Sequence, residues 1–215
     1  MLKLATTLLT LTLIASAANA EIIDRILAVV EDQLITLSDV RGVIRLGLET
    51  VPPTNDEIAA GLDRLIERQL MLMEVERFAP PEPPPEVVEL RLNAVRARLP
   101  DALAFETTLH QIGWPEDAVR RYIRDTLRIE SYVQQRFIAA IQPSDDEIAA
   151  YYRLHAEDFT KGGVLAPYAD VRTQVRAQLV EERRTALVRD WLSGLRRRAN
   201  LLLLYLPAAA TPGGY

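Results

Sequence analysis

The sequence predicts a mainly α fold, a multi-helix lobe carrying a small antiparallel sheet formed by an N-terminal β-hairpin and a C-terminal strand. Three observations predict it. Strand-forming residues gather at the two ends, in 22–36 and 201–206. Between these ends apolar side chains recur every three or four residues, the spacing of one helix face. Prolines and glycines cut that span at Pro52-Pro53, Pro100, Gly113 and Pro143, into pieces of helical length.

The chain opens with Lys3, an apolar run over 4–14 and small residues ending in Ala18-Asn19-Ala20. This is the pattern of a secretory signal over residues 1–20 with cleavage after Ala20, so the mature chain is expected to work outside the cytoplasm. A membrane anchor would need ~20 uninterrupted apolar residues, and Ser16 and Asn19 interrupt this run. There is no cysteine, so neither a disulfide framework nor lipid attachment at a cysteine is expected. No later segment is expected to cross a membrane. Loss of Lys3 with the leader takes the formal charge from -5 to -6, a balance that argues against nucleic acid as a partner.

In the mature chain Ile22, Ile23, Ile26, Val29 and Val30 form the first strand, Glu31-Asp32-Gln33 the turn, and Leu34-Ile35-Thr36 the second strand. A lone hairpin is barely stable in water and needs a third strand, which 201–206 supplies. Ser38 is placed to cap a helix carrying Val43, Ile44, Leu46 and Leu48, ended by Val51-Pro52-Pro53. A longer helix starts at Thr54-Asn55 with Ile58, Leu62, Leu65, Ile66 and Met73 on one face. Met71, Val75 and Phe78 lie nearly opposite the early part of that stripe, so its second half has two apolar faces. Such a helix is either sandwiched or leaves one face for a partner.

Residues 79–85 hold five of the thirteen prolines and form a stiff connector. Val88, Leu92, Val95 and Leu99 mark an amphipathic helix stopped at Pro100. Phe105, Leu109 and Ile112 mark a short one closed by Gly113. Trp114-Pro115 restarts the chain with Pro115 in the first turn of a long helix through Val119, Tyr122, Ile123, Ile129, Val133 and Phe137. Ser144-Asp145-Asp146-Glu147 is a capping box that opens a helix with Ile148, Tyr151 and Tyr152. After a break at Lys161-Gly162-Gly163, a final helix over 168–199 carries Val171, Val175, Leu179, Leu187, Trp191 and Leu195 and ends in three arginines that complement its dipole. Residues 207–215 are expected to be a disordered tail. The parts group as a signal peptide (1–20), a helical domain (21–142), a linker helix, long helix and strand that complete the same domain (143–206), and the tail.

Catalytic constellations are sparse. His110 and His155 are far apart in sequence, no metal-ligand spacing is present, and Ser38 and Ser144 are accounted for as helix caps. Gly162-Gly163 lacks the length and lysine of a phosphate loop. Neither an enzyme nor a cofactor is expected. What stands out is apolar material beyond a single core stripe, and Met71, Met73, Val75, Phe78, Phe105, Trp114 and Tyr122 are the candidates for an adaptable binding surface.

The run Ile23-Asp24-Arg25-Ile26-Leu27-Ala28-Val29-Val30-Glu31-Asp32, followed by Leu34-Ile35-Thr36-Leu37-Ser38-Asp39-Val40, resembles the N-terminal domain of the SurA family of periplasmic chaperones. The resemblance continues in Leu65-Ile66-Glu67-Arg68-Gln69-Leu70-Met71 and Tyr122-Ile123-Arg124-Asp125-Thr126-Leu127-Arg128-Ile129, and covers residues 22–141. Residues 143–152 look like the linker helix before a parvulin prolyl isomerase domain and 168–204 like the helix and strand after one. Only eight residues separate Phe159 from Tyr168, whereas such a domain needs on the order of 90 residues. The resemblance implies an ATP-independent holdase of the periplasm for unfolded outer-membrane proteins that also meets the outer-membrane assembly machinery; the missing domain argues against isomerase activity, and residual prolyl isomerisation is kept as a third reading. A dedicated subunit, with its apolar faces buried in one partner or in a homodimer, is the structural alternative.

Overall fold

The computed structural model describes residues 24–206. The expected signal peptide and its cleavage site, strand residues Ile22 and Ile23, and the tail 207–215 lie outside the described residues. The fold class is as the sequence predicts: among the described residues there are seven α-helices and a three-stranded antiparallel sheet that brings an N-terminal hairpin and a C-terminal strand together.

Strand β1 (Ile26–Val30) pairs with β2 (Gln33–Thr36) across the turn at Glu31, whose φ is 55°. On its other side β1 pairs with β5 (Leu201–Leu203), which gives the order β2-β1-β5. Ala28, Val30 and Ile35 turn one face of this sheet into the main core. The strand at the far end is thus half as long as the run of residues 201–206, because Leu204 and Tyr205 both donate to the Leu27 carbonyl and the ladder ends there.

Helix α1 (Leu37–Arg45) starts directly where β2 stops. Its cap is Thr36, not Ser38: the Thr36 side chain accepts from the Asp39 amide, and the Asp39 carboxylate accepts from the Thr36 amide. Ser38, in the first turn, gives its amide and hydroxyl protons to the Asp24 carboxylate and so fastens the start of the sheet to the helix. Partial burial raises the Asp24 pKa, but hydrogen bonds from Ser38 and Thr36 outweigh it and hold the group below its ordinary value. The helix also stops earlier than the prolines suggest. At Gly47, φ is 59°, and the Leu48 and Gly47 amides donate to the Val43 and Ile44 carbonyls, closing a Schellman turn.

Helix α2 (Glu57–Phe78), capped by Asp56, is the central element and packs on β1, α1, α5 (Glu116–Phe137) and α7 (Tyr168–Arg198). Its two apolar faces are therefore both used. A Cβ on Gly61 would lie 2.9 Å from Val40 Cγ1 and 3.0 Å from Ile44 Cδ1, so the close α1–α2 approach requires glycine. The connector ends one residue sooner than its prolines suggest, since Pro85 is the first residue of α3 (Pro85–Arg96), where its missing N–H costs no bond. Helix α4 (Ala102–Ile112) ends at Gly113 with φ 71°, as expected. Pro115 caps α5 from outside rather than entering its first turn. α3, α4 and α5 enclose a second core around Leu92, Phe105, Ile112 and Val119.

α6 (Asp145–Leu154) opens with the Ser144–Glu147 capping box and leads through a 3-10 turn at Ala156–Phe159 into a tiny hairpin, β3 (Thr160–Lys161) and β4 (Val164–Leu165). The hairpin turns on Gly162 and Gly163, both at positive φ, where the sequence predicts only a break. Ile148, Phe159, Val175 and Leu179 give this outlying unit its own small core. Arg183 binds the Glu147 carboxylate at 2.5 Å and, with the Ser144 hydrogen bonds second, lowers the Glu147 pKa to about 2. A carboxylate whose folded pKa is depressed stabilises above its unfolded pKa and loses that contribution as pH falls through the folded value. Acidification from pH 5 to pH 2 is therefore expected to loosen α6 from α7, followed by the shift of the Tyr151 and Tyr152 signals. Glu147→Gln should show the loosened signals already at pH 7; if the variant and the parent keep the same spectrum across that range, the ion pair does not hold the unit.

Candidate binding surface

Three helices converge on one cluster of rings. The last turns of α2 bring Val75 and Phe78, the second half of α5 brings Ile129, Tyr132, Arg136 and Phe137, and α7 brings Trp191. The placement follows helix periodicity, since Ile129, Val133 and Phe137 recur at four-residue steps, as do Leu187, Trp191 and Leu195. Val75, Ile129 and Tyr132 are the buried floor. Above them Phe78 stacks on Tyr132 with centroids 5.4 Å apart, Tyr132 meets Trp191 at 5.8 Å, and Trp191 meets Phe137 edge-on at 5.9 Å. The Arg136 guanidinium lies 5.5 to 6.0 Å from the Trp191, Phe137 and Tyr132 centroids, a cation set on electron-rich faces.

Phe78 is 58% exposed although its ring is stacked from below, and Ile138 beside the end of α5 is similarly open. A large apolar ring held this way keeps its geometry while presenting its outer face to water. It loses little rotamer freedom when another apolar group covers it. The cluster can therefore hold apolar or aromatic side chains of a partner with small contact areas, and Arg136 adds attraction for aromatic ones.

The seven residues singled out from the sequence do not form one surface. Phe78 alone among them is exposed, with Met71 half-buried against the same cluster. Val75 (0% exposed) and Phe105 (3%) are core residues and offer no surface, which corrects their place among the candidates. Met73 packs on the main core. Trp114 lies between the two large cores, and a Cβ on Gly42 would lie 3.0 Å from its Cε2, so glycine admits the indole there. Tyr122 is committed inside the fold: its hydroxyl donates to Glu49 at 2.5 Å, and the Arg68 guanidinium lies 3.6 Å from its ring centroid. Burial, with Glu49 beside it, pushes the Tyr122 phenol far above its ordinary pKa.

Sequence reasoning missed Tyr132 and Arg136 as members of the cluster and read Phe137 and Trp191 only as stripe residues. The available signal was three aromatic positions and an arginine falling in the last turns of predicted helices, where a core stripe runs out. His110 on α4 is exposed, and His155 after α6 stacks on Tyr151 with 4.1 Å between centroids. Among the described residues no group of histidines and carboxylates is arranged to hold a metal ion, and no helix is long and apolar enough to cross a membrane. A scan against protein-family models finds none that matches this chain, and a search of curated proteins finds no matching relative.

Proposed function

We propose that the chain is an ATP-independent chaperone of the periplasm that holds unfolded outer-membrane proteins. The observation that carries this reading is the half-exposed Phe78 on its support of Tyr132, Trp191 and Phe137. A holdase needs an apolar surface that meets many sequences weakly, and a rigid aromatic ledge with a cation among its rings supplies it. The leader-like N-terminus and the SurA-like order of elements favour the same reading. SurA-like chains carry an isomerase domain between such a linker helix and long helix; only a short hairpin lies between Phe159 and Tyr168 here, so the reading includes no prolyl isomerisation. Hand-over of held clients to the outer-membrane assembly machinery belongs to the same proposal.

The test is light scattering of a urea-unfolded outer-membrane barrel protein diluted into buffer with and without the purified chain. Suppression at near-stoichiometric amounts is expected; unchanged scattering rejects the holdase and favours a dedicated subunit. Phe78→Ser should raise the amount needed for half-suppression several-fold. Its stability cost should stay near 1 kcal/mol, because the ring is already half in water. That corresponds to a thermal midpoint only ~2–4 °C lower. Full holding by the folded variant removes the ring cluster from the proposal.

A further inference from the structure

The sheet has an open, apolar edge on its β5 side. In the ladder with β1, Glu31 donates to the Asn200 carbonyl at 2.8 Å and Leu204 donates to the Leu27 carbonyl at 2.9 Å, on either side of the Val29–Leu202 pair. Antiparallel ladders alternate, so Leu202 bonds inward to β1 while the N–H and C=O groups of Leu201 and Leu203 point away from it. Among the described residues no strand pairs with that side. The register also lines up Leu34, Val29 and Leu202 on the face opposite the core, where Leu34 and Leu202 are 56% and 55% exposed. Leu203, at the rim of the core face, is 54% exposed. Natural edges of this kind are normally blunted by charge, proline or cover, and here leucines occupy it.

We infer that the β5 edge is a strand-addition site for extended client segments with alternating apolar side chains, a second contact beside the ring cluster. This rests on the client-holding reading and names the segment class. In the free chain water hydrates this unpaired row of backbone groups, and among protein partners an extended strand matches its spacing. Such bonds are indifferent to sequence, while every second side chain of the incoming strand falls beside Leu202 on the apolar outer face. A transmembrane β-strand has that alternation. A second copy is the weaker occupant: two β5 edges joined about a two-fold axis would cover on the order of a few hundred Å², against ~1,000 Å² for a stable specific interface. The tail beyond Leu206 is also a poor strand, since Pro207 and Pro212 bring no N–H.

Leu203→Pro removes an outward N–H and leaves the Val29–Leu202 bonds in place; Leu203→Lys charges the edge without touching the backbone. Both variants should keep the parent's thermal midpoint within a few degrees and require at least about fivefold more protein to half-suppress scattering of the unfolded barrel protein. In the parent chain, amide exchange at Leu201 and Leu203 should be fast alone and slowed at least tenfold by a synthetic lysine-capped peptide of alternating valine and threonine, while Leu202 is slow throughout. If Leu203→Pro does not fold, Leu203→Lys and the exchange measurement decide. Suppression by the parent with no loss in Leu203→Lys and no protection of the two amides overturns the edge site and leaves the holdase standing. Absence of suppression by the parent rejects the holdase, and the peptide experiment then decides the edge alone. Protection that depends on protein concentration, or that vanishes on removing residues 207–215, assigns the edge to a second copy or to the tail and overturns the inference.

Discussion

Replacing Arg68 with alanine is expected to destabilise the chain by about 3 kcal/mol, whereas Arg68→Met should cost under ~1 kcal/mol. Arg68 is 8% exposed, the only buried charged side chain among the described residues. Its Nη1 donates to Thr126 Oγ1 at 2.8 Å and its Nη2 to the Tyr122 carbonyl at 2.7 Å, with the guanidinium over the Tyr122 ring. None of the ion pairs among the described residues includes it. Hydrogen bonds to a charged group contribute roughly 1.5–3 kcal/mol each, but removing a cation from water costs several kcal/mol and no carboxylate offsets it here. The electrostatic balance of the site is therefore near zero, and the net stabilisation comes from filling the space between α2 and α5. Alanine leaves that space empty. Methionine fills it, and no orphan acceptor results because Thr126 still donates to the Tyr122 carbonyl at 2.9 Å. Urea unfolding of both variants checks this, with a thermal midpoint lowered by ~6–12 °C for alanine. A methionine variant as unstable as the alanine one would show that the charged hydrogen bonds, rather than packing, hold the two helices.

That side chain also marks where sequence reading stops. The helices were legible because their signals are local: the apolar stripes of α2, α5 and α7, the Ser144–Glu147 box and the glycine at 113 act within a turn or two. The meeting of the two ends was legible for another local reason, since a hairpin with one apolar face cannot stand alone. Arg68 reads as an ordinary surface residue of a helix with charged neighbours Asp63, Arg64 and Glu67; only the crossing of α5 at Tyr122 and Thr126 buries it. The helix caps went astray by two residues at Ser38 because Thr36, Ser38 and Asp39 are all capable caps, and the end of β2 chose among them. Exposure was the least legible property. Val75 and Phe78 lie three residues apart on one face, yet the first is the floor of the ring cluster and the second, the last residue of α2, is its open top. The candidate surface therefore shares only Phe78 and Met71 with the list drawn from sequence.

Trp191→Ala is expected to destabilise by about 3 kcal/mol and to weaken client holding as well, a combination that separates support from contact. Deleting a large aromatic side chain typically costs 3–5 kcal/mol through lost burial and the cavity left behind, and the half-buried indole belongs at the low end of that range. Trp191 packs against both the main core and the ring cluster, so it is the piece through which the cluster is anchored to α7. It does not stack on Phe78; Tyr132 lies between them, 5.8 Å from one and 5.4 Å from the other. Without the indole, Tyr132 loses its backing and Phe78 its fixed platform, so each client contact then carries an ordering cost. A double-mutant cycle between Trp191→Ala and Phe78→Ser, read in half-suppression of scattering at a temperature where all four proteins are folded, should give a coupling of ~0.5–1 kcal/mol. The single variants divide the roles: Phe78→Ser loses holding with little loss of stability, Trp191→Ala loses both. Trp191→Phe should restore most of the stability and most of the holding, since a ring again fills the site. If Trp191→Ala, held below its melting temperature, keeps full holding, the cluster is only the mortar between three helices, and the client contact must lie at the leucine edge of the sheet.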